Sequence, residues 1–342
     1  MTIYEIRMAI SAPIFAPSPQ PLTLALLVLP QSSILEVAST LDPLRAANRH
    51  LGTNAFRWRV VSPDGAPVPL TCGIELPAHG PLAAAEGADA LVVIAGFRQS
   101  EVATAPLIRD IARLAPRFAA MGGIDAGPWV LARAGLLNGH RATVHWEDLE
   151  DLAAAHPAVE VVPDRYVISA NRFTAGGAAP AADLMLHLIR ARHGPALALQ
   201  VAASFITAAR DGAEPQVSPA PHDPRLDPRV MAAMARIAAA LDAPEPIAAI
   251  AAALGLSPRR LEMLFRTALG QTPGAYALHQ RLAAARRMIA DTGHPLAEVA
   301  LRCGFSSPST LSRAFRQRFG LPPSHLRRLP APEPPAGVFG PV

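Results

Sequence analysis

A chain of 342 residues, 51% of them hydrophobic, is long enough for about two domains and has enough apolar material to give each a core. Its two cysteines, Cys72 and Cys303, exclude a disulfide framework and a cysteine-based metal cluster, and the apolar run Leu22–Leu29 is far too short to span a bilayer. The net charge of +4 conceals an asymmetry: residues 229–329 carry 14 Arg against 5 acids, an excess of +9, while the rest of the chain stands at −5. All 31 Lys and Arg positions are Arg, which GC-rich codon usage explains more readily than function does. The uneven placement is different, because a basic region joined to an acidic one is the footprint expected of phosphate binding.

In chain order, residues 1–20 read as a loose, Pro-containing leader in which Met8 is an alternative start. The ordered charged, apolar and cleavage regions of a signal peptide are missing from it, so the expected location is cytoplasmic. LTLALLVL from Leu22 reads as a buried strand and Ile34–His50 as a helix. FRWRVVS and ADALVVIAGF read as further strands, the second ending at Gly96. One helix is expected from Ser100 to Pro116, then strand RFAAMGGID into helix PWVLARAGLL, and later helix AADLMLHLIRARHG before ALALQVAASFITAA. This alternation predicts an α/β domain over 21–208, a mostly parallel sheet covered on both faces in a flavodoxin-like sandwich.

Five prolines, little apolar content and mixed charge mark 209–228 as a linker. No strand pattern follows, so 229–329 is expected to be all-α, and 330–342 a Pro-rich disordered tail. The helical part says one thing twice. Ile247–Leu269 and Leu296–Phe319 each pair a short apolar helix with a Gly turn (Gly255, Gly304). A Ser-Pro start follows (Ser257-Pro258, Ser307-Pro308), then an Arg-bearing amphipathic helix. That is a helix-turn-helix, which lays its second helix in a DNA major groove. The serines can cap their helices and the prolines suit the first helical position. Leu261, Leu264, Phe265 and Leu269 fall on one face, and Leu311, Phe315 and Phe319 on its counterpart. The DNA-facing candidates are Arg259, Arg260, Arg266, Ser309, Thr310, Ser312, Arg313, Arg316 and Gln317, with Met263 and Thr267 on the same exposed surfaces. Arg engages guanine bidentately or holds phosphate, and both roles stay open here. TPGAYALHQRLAAARRMIADTG supplies a helix between the copies.

The stretch from Ser257 to Arg327, with AEVALRCGFSSPSTLSRAFRQRFG inside it, resembles the AraC/XylS transcription-factor domain. Against that pattern Met263 stands where the family commonly has Arg, and Thr310-Leu311 replaces an aromatic-Phe pair.

In the α/β part the most chemically pointed segment is Gly122–Asp148, GGIDAGPWVLARAGLLNGHRATVHWED. A strand running into Asp125, with a helix after Gly127-Pro128, makes an elbow at the carboxyl edge of a parallel sheet, where open α/β folds bind ligands. AGLLNGHRATVHW is similar to a motif of the ThiJ/PfpI family, related to class I glutamine amidotransferases, and in particular of the GlxA-type regulators that join that domain to an AraC domain. The resemblance covers about 22–208. In enzymes of that superfamily the elbow residue is a cysteine nucleophile; here it is Asp125, so thiol chemistry is absent at the elbow and catalysis is not expected. The candidate ligand-binding residues are Asp125, Glu36 and Asp42 as acidic partners, Gly96 at the strand edge, and Trp129, His145 and Trp146. Taken singly, the aromatics and the histidine have ordinary core roles open to them, and Asp125 could be a helix cap. Together they suit a cationic small molecule, an amino acid or a quaternary amine. The reading is a transcriptional regulator that needs neither cofactor nor metal. Its expected partners are double-stranded DNA, a small-molecule effector and a second copy of the chain, with RNA polymerase added for an activator and no membrane.

Overall fold

The apolar run Leu22–Val28 forms β1, buried along nearly its whole length as a strand covered on both faces must be. It begins the first of two compact units in the computed structural model, which describes 13–216, 226–291 and 294–326 and divides after Gln216. Helix α1 (Ile34–Leu51) and strand β2 (Phe56–Val61) follow, then the small ladder of β3 (Val68–Pro69) with β4 (Glu75–Leu76), and β5 (Ala90–Ala95). Next come α2 (Gln99–Val102), α3 (Ala105–Leu114), β6 (Ala120–Asp125) and α4 (Gly127–Arg133). A second small ladder, β7 (Arg141–Ala142) with β8 (Glu160–Val161), brackets α5 (Leu149–Ala155). The unit ends with β9 (Tyr166–Ser169), β10 (Arg172–Ala175), α6 (Ala178–His193) and α7 (Pro195–Ser204).

The main sheet runs β2-β1-β5-β6-β10-β9, parallel throughout except for β9 against β10. Without β9 this is the flavodoxin order, whose direction of winding reverses between β1 and β5; such a switch point is where open sheets receive ligands. Alternation along β1 feeds two cores. Leu24, Leu26 and Val28 face α1, α6 and α7, whereas Ala25, Leu27 and Leu29 lie with Ile111 of α3 and Val130 and Leu131 of α4.

Four segments depart from the sequence expectation. The helix expected over 100–116 is two, because Pro106 supplies no N–H to the preceding turn and the chain restarts at Thr104 in extended conformation. The strands β9 and β10 have no counterpart in the expected elements: short and interrupted by Arg and Asn, they show no clean alternation, and Ala170 turns between them at φ +53°. Residues 13–20 are not a loose leader, since Ile14 and Phe15 are buried and the Arg192 guanidinium donates to the carbonyls of Ile14 (3.1 Å) and Gln20 (2.8 Å). Nor are 209–216 free linker. Arg165 N–H donates to Gly212 O (2.8 Å) and Glu214 O (3.0 Å), and Arg210 N–H donates to the Asp183 carboxylate (3.0 Å). Residues 1–12, the linker's 217–225 and the tail 330–342 lie outside the described residues.

The second unit is helical: α8 (Pro228–Ala239), α9 (Ile247–Ala253), α10 (Pro258–Leu269), α11 (Pro273–Asp291), α12 (Leu296–Arg302), α13 (Pro308–Phe319) and α14 (Pro323–Leu326). Leu261 and Phe265 are fully buried with α8 and α9, and Leu311 and Phe315 with α11 and α12. Leu264, Leu269 and Phe319, expected on those faces, are only partly buried at their edges. Cys303 is a small core residue of the second cluster. No helix among the described residues is long and apolar enough to cross a membrane.

Candidate functional site

The elbow forms because β6 ends on Asp125 in the left-handed region, φ +59°, which a non-glycine residue occupies only when its surroundings hold it there. Two contacts hold it. Asp125 is paired with Ala95 in the sheet register, and the next N–H, of Ala126, donates to Ala95 O at 2.8 Å. The chain then turns so tightly into α4 that a Cβ at Gly127 would stand 2.1 Å from Val93 O. Asp125 Oδ1 is buried and has no hydrogen-bond partner.

Glu36 reaches the same place through the cap of α1. Ser33 accepts from Leu35 N–H, and Glu36 closes the capping box by accepting from Ser33 N–H at 3.3 Å. Only 6% exposed, its carboxyl also hydrogen-bonds Asp125. Burial first, then the charge and hydrogen bond of Asp125, push the Glu36 carboxyl up to about 9. Burial also raises Asp125, against the lowering effect of His145 and of the Glu36 bond. The two carboxyls therefore keep a proton between them at neutral pH.

His145 closes one side: its N–H donates to Asp125 O at 3.2 Å, and its Nδ1 lies 3.8 Å from the Glu147 carboxylate. Trp146 is 43% exposed, with its ring 5.8 Å from that of His145. Gly96 lets the loop after β1 cross the end of β5, where a Cβ would stand 2.7 Å from Gln31 O. Asp125, Glu36, Gly96 and His145 thus lie together at the carboxyl edge of the sheet, with Trp146 against His145.

Two expected members do not join them. Asp42 is six residues beyond Glu36, about 9 Å along the helix axis and about 120° around it, and it pairs instead with Arg45 at 2.8 Å. Trp129 turns toward the second core, donating through Nε1 to Asp148 at 3.1 Å and meeting His156 edge-on. Asp148 itself went unread. Burial, against the Trp129 hydrogen bond, pushes it up to about 6, and the charge of Asp125 raises it further. Gly177, where a side chain would start 3.8 Å from both Asp125 Oδ1 and His145, was missed as well. Adjacency to ATVHW was the available signal for Asp148; nothing local marked Gly177. Among the described residues no group of three His, Cys, Asp or Glu could hold a metal ion.

In the helical unit, Ser257 accepts from Arg260 N–H (3.3 Å) and Ser307 from Thr310 N–H (3.1 Å), so both recognition helices start as their sequences imply. Gly255 and Gly304 make the turns at φ +69° and +68°, and the second turn carries one extra residue, Ser306. Arg259, Arg260, Arg266, Ser309, Thr310, Arg313, Arg316 and Gln317 are exposed and Ser312 is partly so. The two surfaces are not equivalent. Arg266 is paired with Glu262 at 2.9 Å and Arg260 leans on Met263 sulfur, whereas the guanidinium groups of Arg313 and Arg316 have no partner among the described residues. Thr310 is engaged by the hydroxyls of Ser307 (2.9 Å) and Ser306 (3.3 Å). Arg281 of α11 donates to the carbonyls of Cys303 (2.8 Å) and Gly304 and lies 4.2 Å over the Phe305 ring, fastening α11 to the second turn.

A parallel α/β unit with a ligand-type elbow, followed by paired helix-turn-helices, defines a one-chain transcriptional regulator. The DJ-1/PfpI family matches residues 23–191 and the helix-turn-helix domain family residues 250–329. The HTH-type transcriptional regulator CdhR of Pseudomonas aeruginosa is 34% identical over 328 residues, covering 92% of this chain and 95% of its own. The HTH-type transcriptional regulator GlxA of Rhizobium meliloti is 31% identical, covering 86% and 92%. A crystal structure of an AraC family transcriptional regulator from Pseudomonas putida, 29% identical, superposes with a TM-score of 0.50 over 54% of this chain and all of that one. The chain belongs to the family of HTH-type transcriptional regulators that join a DJ-1/PfpI domain to an AraC-type helix-turn-helix domain.

Proposed function

We propose that this regulator is controlled by a small cationic metabolite, an amino acid or a quaternary amine, held at the Asp125 elbow, and that the elbow performs no catalysis. The observation that carries the reading is the buried, partnerless Asp125 Oδ1 beside a neutral Glu36. A buried acceptor without a donor is costly, and a cation or an N–H donor removes that cost. His145 beside it, with Trp146 tilted against that ring, offers aromatic surface suited to a cation. Where thiol chemistry needs a sulfur, the elbow has a carboxylate, which supports a sensing rather than an enzymatic role.

In this reading a ligand that binds one conformation better than another shifts how the helix-turn-helices meet promoter DNA. Arg259, Arg260, Arg266, Ser309, Thr310, Ser312, Arg313, Arg316 and Gln317 supply the DNA contacts. The chain works as a cytoplasmic homodimer and, as an activator, would also meet RNA polymerase. A thermal-shift panel of amino acids and quaternary amines on wild type and Asp125→Ala tests the effector class. At least one amine should raise Tm in wild type only. Stabilisation by none of them, or equal stabilisation of the variant, rejects it.

A further inference from the structure

Gln216 is the last residue of the α/β unit, immediately before the connector to the helical unit, and it is bonded as no linker residue needs to be. Its Nε2 donates to Thr143 Oγ1 (2.7 Å), Val144 O (2.8 Å) and Asp164 O (3.0 Å). Two of these acceptors are carbonyls, which fixes the NH2 rather than the oxygen on that side. The amide oxygen is left buried without a partner. Room for the side chain comes from Gly176, where a Cβ would stand 2.1 Å from the Gln216 amide carbon.

Val144 and Gly176 are each one residue from a group that touches the elbow. Val144 leads into His145, whose N–H holds Asp125 O. Gly176 leads into Gly177, which faces Asp125 Oδ1 and His145. The two segments are also tied together, since Thr143 N–H donates to Thr174 Oγ1 at 2.8 Å. A displacement of His145 or Gly177 is therefore met directly by the Gln216 amide, whose oxygen has no bond to hold it back.

We infer that Gln216 is the positioning residue that passes the state of the Asp125 pocket to the connector, by tightening or releasing residues 209–216. This rests on the reading of the elbow as an effector site. It gives the coupling a physical element that both ends bias, which coupling requires.

The test uses amide hydrogen exchange in the full chain, read by mass spectrometry over 209–216, in wild type, Asp125→Asn, Gln216→Met and the double variant. Gln216→Met keeps length and removes the amide; Gln216→Ala runs beside it in case the sulfur is not accommodated. Asp125→Asn should change exchange over 209–216 by about threefold or more when Gln216 is present and by less than about 1.5-fold when it is replaced, with α6 unaffected. An equal change with and without the Gln216 amide, or none in either background, overturns the inference. Affinity for a DNA fragment enriched from a random pool by the wild-type chain is measured on the same proteins. If Asp125→Asn alters exchange through Gln216 yet leaves that affinity unchanged, the link stands and the control reading fails.

Discussion

The Glu36 carboxyl is hydrogen-bonded with that of Asp125 while its other role, closing the capping box on Ser33, holds it at the N-terminus of α1. One carboxyl thus serves local helix chemistry and a site assembled from strands far apart in sequence. Its raised proton affinity has a consequence for stability. Below about pH 4.5 the Glu36 carboxyl is protonated in folded and unfolded chains alike; between there and about 9 the folded chain alone keeps the proton. The unfolded state then gains by ionising, so this group lowers stability steadily as pH rises through that window. Glu36→Gln keeps an N–H donor toward Asp125 and cannot ionise. It should raise stability at pH 8 by roughly 1–3 kcal/mol and flatten the fall in Tm between pH 5 and 9. Calorimetry across that range checks it; a variant whose Tm follows pH as wild type does contradicts the shared proton.

The buried ion pair of Arg165 and Asp183, at 2.6 Å with side chains 6% and 8% exposed, also holds Arg210 of the terminal segment. Removing one partner leaves a buried charge. Asp183→Ala should cost about 3–5 kcal/mol in urea unfolding and loosen 209–216.

Gly127→Ala puts a methyl against Val93 O, a backbone atom of the central sheet that cannot move aside. Destabilisation of about 1–3 kcal/mol or more is expected, together with loss of any ligand response, because the elbow must open. A variant with wild-type Tm would show that the turn is looser than its contacts.

The two recognition helices should differ in strength. Arg313→Ala or Arg316→Ala removes an unpaired guanidinium and should weaken DNA binding by about 1–3 kcal/mol for a base contact, or lower the salt slope by about 1 for a phosphate contact. Arg266→Ala, already paired with Glu262, should cost less. Fluorescence titrations from 50 to 200 mM salt compare them, and equal losses at Arg266 and Arg313 would refute the asymmetry.

Much of this architecture could be read from the chain. Alternating apolar runs gave the parallel sheet, and two Ser-Pro starts after Gly turns gave the helix-turn-helices, because strands, caps and turns depend on neighbours a few residues away. The site was legible only in part. Asp125, His145 and Trp146 sit in one recognisable segment, but Asp42 was mistaken for a partner because helical phase, not proximity in sequence, decides which acid faces the elbow. Asp148 and Gly177 went unread for a related reason: a carboxylate's neighbours and a glycine's clearance exist only once the strands are assembled.

The same division runs through the whole molecule. Local chemistry sufficed to mark a DNA-binding half and an α/β half, since periodicity, capping and charge asymmetry are properties of short stretches. Whether Glu36 carries a proton and whether residues 209–216 are linker or anchor were decided by the tertiary structure. Each turns on burial and on partners from elsewhere in the sequence, as Glu36 and Asp125 are, 89 positions apart.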